Sequence, residues 1–263
     1  MDPVIDTTVA HPARRYDYWL GGKDNFAADR ESGDAIAARF PGIRTAVVEN
    51  RAFLRRAVTH LAREAGIRQF LDVGTGLPTA SNTHEVAQAV APESRVVYVD
   101  NDPLVLVHAR ALLTGAPEGM TAYIDADLRD PERILAEAAR TLDPERPVAL
   151  MLLAILHFLT DEDDPYAIVR TLTAALPPGS HVVISHATAD WLPPAAVAEI
   201  SSGRHGAGRL RSRAEVTRFF TGLDLLDPGV VPLADWHGEP AHPPAAEVSM
   251  YAGVARTPLT PER

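Results

Sequence analysis

The sequence predicts a doubly wound α/β protein. Three observations carry that prediction: five short apolar runs rich in branched residues, helical stretches between them, and two final runs with no helix to separate them. The five runs are residues 69–73, 96–100, 121–125, 148–153 and 181–185, each apolar on both faces. Central parallel strands have that pattern, because helices cover both sides of the sheet. Between them, residues 82–90, 103–113, 131–141 and 165–176 are helix candidates, three of which begin with proline, where a missing N–H costs nothing. Upstream, Val47, Leu54, Val58 and Leu61 share one helical face, and Gly66 ends a helix over about residues 45–65. Downstream, Ser212 and Glu215 form a capping box that opens a helix running to Gly222. Residues 223–233 and 248–256 then read as an antiparallel hairpin, making seven strands in all.

Composition narrows the function. The chain has 263 residues, 46% of them hydrophobic and 23% charged, which is ordinary for a folded globular protein. With no cysteine, disulfides, thiolate metal sites and a cysteine nucleophile are excluded. A net charge of -10 opposes a polyanionic partner, so no nucleic-acid binding is expected. No apolar stretch is long enough to span a bilayer and the first residues lack a signal-peptide plan, so a cytoplasmic protein without membrane contact is expected. Residues 1–65 read as a lid and helical cap, 66–256 as the core and 257–263 as a tail.

In an open α/β sheet, ligands bind beyond the carboxyl ends of the strands. Gly74 and Gly76, after the first strand, let the backbone pass close to a ligand and the next helix offer its amides. Asp100 ends the second strand and can accept ribose hydroxyls, while Asp102 before Pro103 supplies the helix cap. After the third strand Asp130 caps a helix, which leaves Asp127 for an exocyclic amine and the Leu128 amide for a ring nitrogen. Three successive strand ends thus favour an adenosine pocket.

The strand ends DVGTG, VYVDND and DADLRDP, the run LLLAILHFL and the terminal hairpin resemble a class I S-adenosyl-methionine-dependent methyltransferase. The opening Tyr16-Asp-Tyr-Trp-Leu-Gly-Gly-Lys-Asp-Asn-Phe26, with LDVGTGLPT and PPGSHVVISHAT, resembles an actinobacterial methyltransferase family of largely unassigned substrate. The resemblance runs from about Pro12 to Arg256 and implies a Rossmann-like sheet and methyl transfer from S-adenosyl-methionine, with S-adenosyl-homocysteine as product, to a small molecule. It implies a cofactor held by Asp72, Gly74, Thr75, Gly76, Asp100, Asn101, Asp127, Leu128 and Ala154. One departure is Leu77-Pro78, where the class has a third glycine. An NAD-dependent oxidoreductase would have a complete G-x-G-x-x-G, which Thr79 breaks; a protein that binds an adenosyl ligand without turnover is the other alternative.

Of 25 basic residues only Lys23 is lysine, and it follows two glycines among aromatics, a poor helix interior and a poor strand. That suits a folded lid that meets the cofactor through Tyr18, Gly22 and Lys23, the lysine donating to the methionine carboxylate and the aromatics excluding water, against a solvent-facing lysine beside aromatics that only cover the sheet edge. His157, after the fourth strand, is the candidate base for an acceptor hydroxyl or amine, against a packing role among Leu156, Phe158 and Leu159. His186, Trp191 and His205 are further pocket candidates. Arg204, Arg209, Arg211 and Arg213 read as a solvated basic face or an attractor of acidic substrate. No pair of histidines has metal-binding helical spacing, so no metal is expected.

Overall fold

A computed structural model describes residues 5–112, 116–203, 205–206 and 208–259. Three helices come first: α1 (Pro12–Trp19), α2 (Ala27–Arg39) and α3 (Ile43–Arg63). The alternating core follows as β1 (Gln69–Val73), α4 (Thr83–Val90), β2 (Arg95–Asp100), α5 (Pro103–Leu112), β3 (Met120–Asp125), α6 (Pro131–Ala138), β4 (Ala149–Leu153), α7 (Pro165–Ala174) and β5 (His181–Ala187). The chain ends with α8 (Pro194–Ile200), α9 (Arg213–Thr217), β6 (Asp224–Leu225), β7 (Val231–Pro232), α10 (Ala245–Val248) and β8 (Met250–Arg256). Starts are fixed by local chemistry: Asp130 accepts from Arg133 N at 3.2 Å above α6, Asp164 from Ala167 N at 3.1 Å above α7, and Ser212 N donates to Glu215 Oε2 at 2.8 Å above α9.

Among the described residues the sheet runs β3-β2-β1-β4-β5-β8-β6, with β7 also on β8. The first five strands are parallel and β8 runs antiparallel to β5. The expected hairpin differs in detail. Residues 223–233 do not form one strand: β6 and β7 are two short pieces in the same edge position, pairing with opposite halves of β8. Asp227-Pro228-Gly229 interrupts them, because proline offers no ladder donor and Gly229 takes φ +83°. Val248, expected in the last strand, ends α10 instead.

Side-chain alternation divides the core between the two faces. Phe70, Val96, Tyr98, Met151 and Val183 pack with Phe53, Leu54, Val58 and Leu61 of α3. Leu71, Val97, Leu150, Leu152 and Ile184 pack with Ile134 of α6 and Ile168, Val169 and Leu172 of α7. β1 and β4 lie side by side although their connections leave in opposite directions, so a crevice opens above their carboxyl ends. No helix among the described residues is long and apolar enough to cross a membrane.

Candidate active site

That crevice is a cavity of about 400 Å³. Its floor is the loop after β1 and the residues after β2, β3 and β4; its roof is α1, α2 and the start of α3; Leu192, Ile200, His205 and Leu210 close the third side. Gly74 and Gly76 stand at φ +75° and +69°. A Cβ on Gly74 would sit 2.5 Å from Ile155 Cγ1, whereas one on Gly76 would meet nothing within 4 Å. Gly74 therefore lets the chain after β4 approach, and Gly76 has open space where a side chain would stand. Gly74 N donates to Val99 O at 2.8 Å, and Gly76 N to Asp100 Oδ2 at 2.8 Å, so β2 holds the turn in shape.

Three acids line the floor. Asp72 is buried, accepts from Thr83 Oγ1 at 2.6 Å, and is pushed by burial up to about 6. Asp100 is buried too, and burial raises its pKa against the amides of Asp102 and Gly76. Asp102 caps the helix as expected, but Asp100 also carries structural duties that the sequence did not suggest. Besides Gly76 N it accepts from Asp102 N at 2.9 Å, while Asp102 Oδ1 accepts from Leu104 N at 2.9 Å. Asp127 also has duties the sequence did not suggest: it accepts from Arg129 N at 2.8 Å and from Asn101 Nδ2 at 2.8 Å, and pairs with the Arg129 guanidinium at 3.2 Å. Carboxylate oxygens have two lone pairs each, so capacity toward a ligand remains at Asp100, whereas a ligand amine at Asp127 would have to displace the Arg129 guanidinium, which reaches both of its oxygens at 3.2 and 3.3 Å.

The roof departs most from the sequence reading. Residues 16–19, expected in an irregular lid, are the last turns of α1, which starts on Pro12 under the side chain of His11. Tyr16 and Trp19 line the cavity, with His11, Pro12, Ala13 and Arg15. Tyr18, Gly22 and Lys23 do not: Tyr18 OH donates to Asp34 Oδ1 at 2.7 Å, Lys23 is exposed, and Gly22 lies so close to Asp17 that a Cβ would overlap its carboxylate. The turn after α1 wraps that carboxylate, which accepts from Asp24 N at 3.0 Å and Asn25 Nδ2 at 2.8 Å. Arginines replace the lone lysine at the cavity. Arg51 donates to Ser81 O at 2.9 Å beside the glycine turn, and Arg15 donates to His205 O at 2.9 Å.

A chain of hydrogen bonds ties roof to floor. Tyr16 OH donates to Val47 O at 3.1 Å and accepts from Asn50 Nδ2 at 3.0 Å; Asn50 Oδ1 accepts from Ser185 Oγ at 2.6 Å; and Ala154 N donates to Ser185 Oγ at 2.9 Å. Ala154 is a non-glycine residue at φ +52° at the end of β4, a backbone conformation that this network holds in place.

His157 lines the cavity with a buried Nδ1 that has no hydrogen-bond partner among the described residues. Burial, then the Arg211 and Arg15 guanidiniums, lower it to about 4, so at neutral pH it is a neutral imidazole with acceptor capacity. His205 also lines the cavity, whereas His186 and Trp191 lie outside the lining. His186 is buried behind His157, with Nε2 at 3.1 Å from Arg211 Nη1. The expected basic face is solvated only in part: Arg213 is exposed and the Arg209 side chain is 40% exposed, whereas Arg211 is buried. Arg211 is 1% exposed and donates to Leu156 O and Leu159 O at 3.1 and 3.2 Å; Arg209 pairs with Asp161 and Glu215; Arg213 donates to Val230 O at 2.8 Å. Arg204 lies outside the described residues.

The family model for S-adenosyl methyltransferase matches residues 1–258. A DUF574 family protein of Streptomyces avermitilis is 50% identical with a TM-score of 0.93, over 97% of this chain and 100% of that one. A solved protein of Thermobifida fusca is 44% identical with a TM-score of 0.89, over 96% and 97% of the two chains. The N-methyltransferase NodS of Bradyrhizobium japonicum, solved with S-adenosyl-L-homocysteine, shares the fold at 15% identity and a TM-score of 0.52, over 96% and 100%. No curated protein sequence matches the chain. The chain belongs to the S-adenosyl methyltransferase family, and S-adenosyl-methionine is its methyl donor.

Proposed function

We propose that the protein methylates a small molecule enclosed between the sheet ends and the N-terminal helices. One observation carries this: the glycine turn, three strand-end carboxylates and the roof helices enclose a single cavity whose apolar lining includes Ile36, Phe40, Phe158, Leu192 and Ile200. The residues present suit the donor. Open space above Gly76, hydroxyl acceptors at Asp100, an amine acceptor at Asp127 and the Leu128 amide match an adenosine; Asp72 and Arg51, beside the turn, match an ammonium and a carboxylate. When bound, the donor supplies an electrophilic methyl group on a sulfonium, whose C–S bond breaks as the acceptor lone pair forms the new bond. The protein's task is then alignment and exclusion of water. Trp19, Phe40 and Tyr16 close the cavity, and the Ala154–Ser185–Asn50–Tyr16 chain fixes the floor against the roof. Neutral His157 accepts a hydrogen bond from an acceptor hydroxyl or amine, and orients it.

Thermal unfolding with S-adenosyl-methionine, S-adenosyl-homocysteine and NAD tests the reading. A ligand at 100 times its Kd adds about 2.7 kcal/mol of stability, so both adenosyl ligands should raise Tm and NAD should not. A shift with NAD alone would overturn it.

A further inference from the structure

The cavity separates its charges. Asp72, Asp100 and Asp127 all stand on the floor, at the strand ends, and the cation acting on Asp72 is Arg51, anchored on Ala80 O and Ser81 O at 3.2 and 2.9 Å. Those groups suffice for the donor. On the roof, in α1, stands Arg15, which lines the cavity and is 3% exposed.

The described residues around it leave its charge without a paired carboxylate. Among the described residues no carboxylate lies within ion-pair distance of it; Nη2 donates to His205 O at 2.9 Å, Nη1 makes a long 3.4 Å bond to Ser32 Oγ, and Nε is buried with no acceptor. The acid that acts on it, Asp29, is committed elsewhere: it accepts from His11 N at 2.8 Å and Phe26 N at 2.9 Å and faces Arg14 at 3.7 Å. Burial lowers the Arg15 pKa to about 10 against the pull of Asp29, so the group stays charged at neutral pH. A buried charge beside a cavity, with no carboxylate paired to it among the described residues, fits an anionic partner that arrives with the ligand.

His157 is close enough for the Arg15 charge to act on its ring, and the loop that receives Arg15 at His205 O also donates Arg209 N to His157 O at 2.8 Å. Arg15 and His157 therefore line one compartment, together with Phe158, Ile200 and Leu210. Resting on the methyltransferase reading above, we propose that the acceptor is a small carboxylic acid with an apolar body, its carboxylate paired with Arg15 and its methylated group presented at His157.

The test is calorimetric titration of the full chain, first with S-adenosyl-homocysteine and then, with that ligand saturating, with benzoate, benzamide, 3-phenylpropionate and 3-phenylpropanamide as probes. The acids should bind at least about tenfold more tightly than their amides, the size expected of one charge-assisted bond. Arg15→Gln should abolish that preference while its affinity for S-adenosyl-homocysteine stays unchanged, and Arg15→Lys should keep part of it. Wild-type protein supplies the acid-to-amide comparison even if Arg15→Gln does not fold. Equal binding of acids and amides, no binding of either acid at millimolar concentration, or an Arg15→Gln variant that loses the adenosyl ligand and keeps the preference would each overturn the assignment. Failure of wild-type protein to bind S-adenosyl-homocysteine would instead remove the donor assignment on which it stands.

Discussion

Replacing Asp72 with asparagine should make the ligand-free protein more stable and the ligand-bound protein less so. The asparagine side chain is nearly isosteric and keeps an oxygen for Thr83 Oγ1, which donates to Asp72 at 2.6 Å, so the main change is the loss of a buried charge. Burial lifts the carboxyl from 3.8 to about 6. A folded-state pKa above the unfolded one means that folding favours the protonated form: the contribution is fully present below the unfolded pKa and is lost as pH rises through the folded pKa. A difference of about 2 units corresponds to about 3 kcal/mol above pH ~6. At roughly 2–4 °C per kcal/mol for a chain of this size, Asp72→Asn should raise Tm by about 6 °C or more near pH 8, and by almost nothing near pH 4. Thermal unfolding of both proteins across that range reads it directly. A gain independent of pH, or a loss of stability near pH 8, would refute the burial argument. In the same variant, calorimetry should show weaker S-adenosyl-homocysteine binding if, as proposed, the charge that destabilises the empty site is the one that meets the ammonium of the ligand.

Asp100→Ala should weaken S-adenosyl-homocysteine binding by more than about tenfold and also lower Tm, since Gly76 N and Asp102 N lose their acceptor; unchanged affinity by calorimetry would remove the ribose assignment. Asp127→Ala should cost more affinity for the adenosyl ligand than for its inosine analogue, which has no exocyclic amine; equal losses would put Asp127 outside the base pocket. Lys23→Ala should bind S-adenosyl-homocysteine normally, as expected of an exposed side chain off the cavity, whereas Arg51→Gln should weaken it by about tenfold; the reverse pattern would restore the lysine as the carboxylate partner.

The order of strands and helices was legible because burial on both faces leaves an apolar signature that needs no tertiary knowledge. Gly74, Gly76 and Asp100 were legible as neighbours for a related reason, since topology alone brings successive strand ends together. What the sequence hid was each side chain's commitments. Asp100 and Asp127 both look unemployed along the chain, yet each accepts backbone N–H groups at 2.8 Å, from Gly76 and Arg129. The roof was hidden for another reason. Its cavity residues alternate with residues that serve α2 and the following turn, so Tyr16 and Trp19 face the cavity while Asp17 and Tyr18 do not. The helical spacing of Pro12, Arg15, Tyr16 and Trp19 was the available signal, and the glycines at 21 and 22 obscured it. Arg211 shows the same limit from the other side: a basic run reads as solvated until carbonyls 52 and 55 positions away are seen to surround one member.

Hydrogen–deuterium exchange on the full chain, with and without S-adenosyl-homocysteine, tests the placement of the donor site most directly. Amides of residues 74–76, 100–102 and 127–129 should gain protection, together with α1 above them, while the exposed edge around β6 and β7 should be unaffected. Protection confined to another surface, with the glycine turn exchanging at its ligand-free rate, would contradict it.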